Sequence, residues 1–151
     1  AAAACVLETP LPGRHAVSGG HLRASHDGVA DAAKYFSLET EPLRARCEAG
    51  DDLWLKFEPF RLDVVCATGS DARRLLGVAK PIFNRGAVVT SATREWRVCV
   101  EGNQRLEMPF AFSGRGVYSG SLVALAETVN NKLAKTWACM DRFLEALRQG
   151  L

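Results

Sequence analysis

The chain has 151 residues, of which 48% are hydrophobic, 24% charged and 8% aromatic, and its mean hydropathy is −0.03. That is one domain's length, able to bury roughly two thirds of the surface its unfolded form exposes, and the composition excludes a disordered chain, a collagen-like repeat and a disulfide scaffold. No apolar run reaches the roughly eighteen residues needed to span a bilayer. Nineteen basic and 17 acidic side chains leave a formal charge of +2, weaker than a polyanion-binding domain usually carries. The balance is uneven, however: residues 1–66 hold 7 basic and 10 acidic side chains, net −3, and residues 67–151 hold 12 and 7, net +5. Arg73, Arg74, Lys80, Arg85, Arg94, Arg97, Arg105 and Arg115 belong to the basic part and form either a solvated mixed surface or a face for phosphates.

Taken in chain order, the first twenty residues are rich in Pro and Gly and read as loop, with one short strand over Arg14–Val17. A strand over His21–Ser25 follows, then a helix from Val29 to Phe36 capped by Asp27, and a second helix from Glu41 to Glu48 ended by Gly50. Period-two alternation marks strands over Leu53–Phe57 and Phe60–Cys66, with a bulge or bend at Pro59 and with Phe60, Leu62, Val64 and Cys66 on one face. Ser70 and Asp71 open a helix whose Leu75, Val78 and Ala79 share a face and which Pro81 stops. Three strands are predicted over Ala87–Ser91, Trp96–Val100 and Leu106–Phe112, followed by a Ser113–Gly116 turn. Leu122, Leu125, Ala126, Val129, Leu133, Trp137, Met140, Phe143, Leu144 and Leu147 recur at helical spacing, so one long amphipathic helix runs from Ser121 to Arg148. With no internal repeat or low-complexity linker, the pattern predicts a single domain over residues 1–151. Its class is α+β: a mixed or antiparallel sheet of five or more strands against two to four helices, including the long carboxyl-terminal one.

Five widely spaced cysteines, Cys5, Cys47, Cys66, Cys99 and Cys139, include no C-x-x-C pair and read as free thiols of an intracellular, reducing compartment. The chain opens on Ala1 without an initiator methionine, as a trimmed form would. His15, His21 and His26 are the only histidines, and their spacing with Cys5 matches no standard metal pattern, so no metal is expected. Dinucleotide, Walker, nucleophile-elbow and zincin motifs are missing. The most unusual block is Trp54-Leu55-Lys56-Phe57-Glu58-Pro59-Phe60, in which alternation puts Lys56 and Glu58 on one side of an apolar strand. They form either an internal ion pair or a cleft where the lysine meets a phosphate or carboxylate and the glutamate takes a proton.

In order and spacing across residues 13–148, the blocks Trp54–Cys66 (WLKFEPFRLDVVC), Asp71–Lys80, Leu106-Glu107-Met108-Pro109, Val129-Asn130-Asn131-Lys132 and Arg142-Phe143 resemble the wybutosine-synthesis methyltransferase family, the third enzyme of that pathway. The resemblance implies a small α+β protein without a Rossmann fold. It also implies S-adenosylmethionine as methyl donor and, as acceptor, a ring nitrogen of the tricyclic guanine derivative at position 37 of phenylalanine tRNA. Carried over residue by residue, it makes His26 and Glu58 the catalytic candidates and Ser25, Asn84 and Gly86 the cofactor-binding ones. Arg14, Lys56, Phe60, Asn130 and Lys132 become the substrate-binding candidates.

Several positions depart from the family pattern. Its Ser/Cys-rich stretch survives only as Gly13-Arg14. Its Gly-Phe-Arg-Asn-Ser-Gly loop appears as Pro81-Ile82-Phe83-Asn84-Arg85-Gly86, with Phe83 for the arginine and Arg85 for the serine. Its Arg-Ser after the next strand becomes Glu101-Gly102. Two functions therefore stand: an active methyltransferase whose partner is tRNA, or a catalytically degenerate member serving as a structural or RNA-contacting subunit of a larger protein assembly.

Overall fold

Leu53, Leu55 and Phe57 are fully buried, while Trp54, Lys56 and Glu58 between them are not; this is the period of two expected of a strand with one face on a core. In the computed structural model, which describes residues 4–8, 21–91 and 95–150, this strand centres the first of two compact units. One unit is Ala4–Glu58 with Arg105–Leu133, and the other is built on Pro59–Gln104 with Ala134–Leu151.

The first unit holds strands β1 (Ala4–Glu8), β2 (His21–Ser25), β3 (Leu53–Glu58), β7 (Leu106–Phe112) and β8 (Arg115–Gly116), joined as an antiparallel sheet in the order β2-β1-β3-β7-β8. It also holds helices α1 (Ala32–Phe36) and α2 (Leu43–Glu48). Phe36, Phe57, Leu43, Leu53, Leu55 and Val129 are among its buried side chains, each contributing roughly 1.5–3 kcal/mol of apolar transfer. The rings of Phe36 and Phe110 lie 5.7 Å apart.

The second unit is a three-stranded antiparallel sheet, in the order β4 (Arg61–Cys66), β6 (Trp96–Glu101), β5 (Ala87–Ser91), with helix α3 (Gly69–Phe83) packed on it. Ala72, Leu75, Ala79 and Phe83 are buried along the helix, and Val98 and Val100 on the sheet. Because α3 packs mainly over β6 and β5, Leu62 near the end of β4 stays 42% exposed. Helix α4 (Leu122–Gly150) begins in the first unit and continues into the second.

The α+β class, the antiparallel pairing and the long last helix agree with the sequence pattern. The strands form two sheets, because Pro59 interrupts the ladder between β3 and β4 and β4 pairs with β6 instead. β1 lies where the sequence reads as loop; its five residues are too few for alternation to stand out beside the prolines that follow. The strand expected over Arg14–Val17 lies outside the described residues.

Three further boundaries differ. α1 starts at Ala32, with Asp31 accepting from the Lys34 N–H at 2.9 Å, since the backbone before it is held by α4, as described below. α3 starts at a capping box in which Thr68 accepts from the Asp71 N–H and Asp71 from the Thr68 N–H, both at 3.1 Å. It then runs through Pro81, whose missing N–H removes only one bond from a helix that ends two residues later. In α4, Thr136 is buried while Trp137 and Leu144 are exposed. Val129, Leu133, Thr136, Met140, Phe143 and Leu147 alternate steps of four and three, a narrower seam than the stripe the sequence suggests.

Candidate functional site

β2 ends at Ser25, opposite Cys5 of β1, which is opposite Phe57 of β3. Directly opposed residues of a sheet share a face. Ser25 therefore points to the Cys5–Phe57 side, while Lys56, in line with Val6 and Ala24, points to the other. The register separates two groups that sequence reasoning placed in one site.

Beyond Ser25 the chain bends, and the Ser25 Oγ donates to the Gly28 carbonyl at 2.5 Å. Gly28 has φ +94, and a Cβ there would meet Asn130 Oδ1 at 2.8 Å, so both backbone and space call for glycine. Asn130 of α4 accepts from the Val29 N–H at 2.7 Å and donates through Nδ2 to the Val29 carbonyl at 3.0 Å. One amide side chain thus makes both bonds that a neighbouring strand would make to this residue. His26 is exposed on the bend, and Lys132 lies two residues beyond Asn130 on α4, half-buried.

Behind the bend is a cleft of about 570 Å³ lined by Ser25, Gly28, Val29, Ala30, Asp31, Lys34, Tyr35, Thr40 and Glu41, with Arg23 and Ala24 at its edge strand. That volume lies within the range of small-molecule sites. Arg23 builds one wall: its guanidinium donates to the carbonyls of Lys34 and Tyr35, both at 2.6 Å, to the Glu41 carbonyl at 3.1 Å and to the Thr40 hydroxyl. It satisfies the end of α1, and the acidic lining groups are engaged within the chain as well: Asp31 accepts from the Lys34 N–H and the Glu41 carboxylate from Arg44. The Tyr35 hydroxyl donates to the Cys5 carbonyl at 2.8 Å. Burial pushes the Tyr35 phenol above its usual range and the Cys5 thiol up to about 11, the latter opposed by its hydrogen bond with Tyr35. Both are neutral at pH 7.

On the opposite face, Lys56 Nζ lies 3.4 Å from Glu107 Oε1, its cross-strand partner on β7. Glu58 is exposed at the end of β3. Lys56 is thus charge-paired across the sheet with a carboxylate of β7, whereas the ion-pair reading of the sequence paired it with Glu58.

Phe60, Asn84 and Gly86 belong to the other unit. Phe60 is a core residue, 4% exposed, with its ring 5.3 Å from that of Phe83, which in turn lies 5.3 Å from Phe143. Phe83 therefore fills the aromatic interior at the position where the family pattern has arginine. Asn84 follows at φ 50, ψ −113, a left-handed conformation that costs a side-chain-bearing residue roughly 1–3 kcal/mol. Two residues on, a Cβ on Gly86 would lie 2.1 Å from the Glu101 carbonyl oxygen, a contact only glycine permits.

The Glu101 carboxylate is on the open face of this sheet, across from Arg61. The Arg61 guanidinium is held further above its usual range mainly by its hydrogen bond to Asp63, with Glu101 adding a smaller contribution. Arg14 lies outside the described residues. The lining residues Gly28, Asp31 and Tyr35 escaped sequence reasoning, although Asp27-Gly28 is a turn signal that marks the bend. Among the described residues no cluster of metal-ligating side chains occurs, and no helix is long and apolar enough to cross a membrane.

Residues 9–149 match the family model described as methyltransferase TYW3. The chain belongs to the TYW3 methyltransferase family. It is 31% identical over 99 residues to the tRNA wybutosine-synthesizing protein 3 homolog of Mus musculus, a stretch covering 64% of this chain and 38% of that protein. Two solved archaeal structures share the TYW3-family chain's fold. The PH1069 protein of Pyrococcus horikoshii superposes with a TM-score of 0.73 at 17% identity, over 93% of this chain and 70% of that one. A hypothetical protein of Aeropyrum pernix gives 0.72 at 20% identity, over 97% and 83%.

Proposed function

We propose that this TYW3-family chain transfers a methyl group from S-adenosylmethionine to tRNA, at a ring nitrogen of the tricyclic guanine derivative at position 37 of phenylalanine tRNA. The family match across residues 9–149 carries the reading, and the cleft behind Ser25 supplies a place of fitting chemistry. Val29, Ala30 and the Tyr35 ring offer apolar surface for a purine; Asp31, Thr40 and Glu41, each already bonded within the chain, keep further lone pairs for ribose hydroxyls and an ammonium group. The donor's sulfonium supplies the methyl: the ring nitrogen's lone pair forms the N–C bond as the C–S bond breaks, leaving a thioether and one proton to be removed.

The chain's own contribution is alignment and proton removal. Asn130 and Gly28 fix the bend, Ser25 pins its carbonyl, and Arg23 holds the opposite wall. Of the two catalytic candidates, His26 shares the bend with the cleft, whereas the Lys56 face carrying Glu58 is turned away from Ser25. His26 is the proton acceptor in this reading, and Lys56 with Glu107 braces the sheet.

Calorimetry with S-adenosylmethionine, followed by transfer of labelled methyl to tRNA carrying the unmethylated tricyclic base, tests the proposal. His26→Asn is expected to slow transfer with donor affinity kept. Absence of heat at millimolar donor, with tRNA still bound, would instead favour the second reading, a degenerate RNA-contacting subunit; the replacement of a family arginine by Glu101, already engaged with Arg61, is the observation behind it.

A further inference from the structure

We propose that Lys80 and Arg85, on either side of Asn84, form a phosphate-binding notch of the three-stranded unit, and that it takes a backbone phosphate of the RNA substrate. A depression of about 440 Å³ is lined by Lys80, Asn84, Arg85, Ala87 and Val88. Lys80 and Arg85 are both exposed, and among the described residues neither is ion-paired. Several other exposed guanidinium groups are ion-paired, Arg44 with Glu41, Arg61 with Asp63, Arg97 with Glu95 and Arg148 with Glu145. Two cations converging on one depression without a carboxylate repel each other, and an anion bound between them removes that repulsion.

The loop between them is built rather than incidental. Asn84 keeps a backbone conformation suited to glycine, its N–H bonds back to the Lys80 carbonyl, and its carbonyl accepts from Ala87. Strain retained in an exposed loop points to a role for the side chain that endures it. Gly86 locks the loop against the Glu101 backbone, so Arg85 projects from a fixed base. A planar guanidinium beside a lysine ammonium suits the oxygens of a phosphate.

The inference rests on the tRNA reading for the source of the phosphate, and two measurements separate them. Titration with inorganic pyrophosphate, followed by amide resonances, is expected to shift Asn84, Arg85 and Gly86 and to lose that response in Arg85→Ala. An unresponsive loop overturns the notch whatever RNA does. Binding of phenylalanine tRNA across a salt series is expected to weaken about fivefold for Lys80→Ala and for Arg85→Ala, with the salt slope shallower by roughly one for each. Arg85→Lys should recover most of the affinity. Lys135→Ala, another exposed cation of the same unit, is the control. Equal losses for all three alanine variants, or unchanged slopes for Lys80→Ala and Arg85→Ala, would sink the notch and leave the tRNA reading intact. A pyrophosphate response from a chain that binds no tRNA would sink the tRNA reading and leave the notch.

Discussion

Asn130→Ala is the most direct perturbation of the bend behind which the cleft lies. The substitution removes an acceptor 2.7 Å from the Val29 nitrogen and a donor 3.0 Å from its carbonyl oxygen, and Val29 is only 4% exposed. Each bond is worth about 1 kcal/mol net, but leaving both backbone groups buried and unmatched costs about 1–3 kcal/mol apiece. Partial entry of water brings the expected loss to about 2–4 kcal/mol, or a fall in Tm of roughly 5–15 °C for a chain of this length. Two assays follow it: thermal unfolding, and hydrogen exchange at the Val29 amide, which should accelerate by about thirtyfold to a thousandfold if the bend opens locally ahead of the sheet, since each step of about 1.4 kcal/mol is a factor of ten. Asn130→Asp sharpens the test. It keeps an acceptor for the N–H but turns an anion towards the Val29 carbonyl. Protonation restores a donor, so that variant's folded-state carboxyl pKa is raised, and its stability deficit should shrink as pH falls towards 4 and be restored as pH rises. Unchanged Tm and unchanged Val29 exchange in Asn130→Ala would refute the assignment of this residue to holding the bend.

The Cys5 thiol, raised from 9.0 to about 11 by burial, favours its neutral form in the folded chain. The stability it contributes is fully present below pH 9 and is lost as pH rises towards 11, by about 2–3 kcal/mol in all; urea titrations at pH 8, 9.5 and 11 should show a steeper loss in the wild type than in Cys5→Ala. Gly86→Ala places a methyl group 2.1 Å from the Glu101 carbonyl oxygen, and the backbone on both sides must move. A loss of about 2–4 kcal/mol is expected, together with altered resonances at Asn84 and Arg85; a folded variant with wild-type stability would show that the close approach is not needed. Phe83→Ala removes the ring between Phe60 and Phe143 and should cost about 3–5 kcal/mol in denaturant unfolding.

Much of this architecture was legible because its signals are local. Alternation over Leu53–Phe57 and Leu106–Phe112, the proline at 59 and the helical periodicity after Ser121 each report burial within one element. What escaped depends on partners distant in sequence. Val29 reads as helix until Asn130, 101 positions on, takes both its backbone groups. Lys56 and Glu58 share a side as alternation requires, but the carboxylate that meets Lys56 comes from β7, a pairing visible only once strand order is known. The opposite orientations of Ser25 and Lys56 follow from a register through β1, a strand that the sequence hides among prolines.

The family pattern places arginine where this chain has Phe83 and Glu101, and taken alone those changes suggest an anion site dismantled. The structure supports a different account. Position 83 faces the aromatic interior with Phe60 and Phe143, where a guanidinium would need a buried counter-charge. Position 101 lies on the open sheet face, where Glu101 favours the charged form of Arg61 opposite it. Neither substitution puts a negative charge into the notch formed by Lys80, Asn84 and Arg85. Two steps along the chain from Phe83, Arg85 stands at the serine position of the family loop, exposed and unpaired among the described residues. One guanidinium has been exchanged for an aromatic core contact and another supplied outside it, so the loop's positive charge is kept while its anchor becomes apolar. A chain under no demand to meet an anion at this loop would have little physical reason to keep a lysine, an arginine and a strained asparagine around one depression.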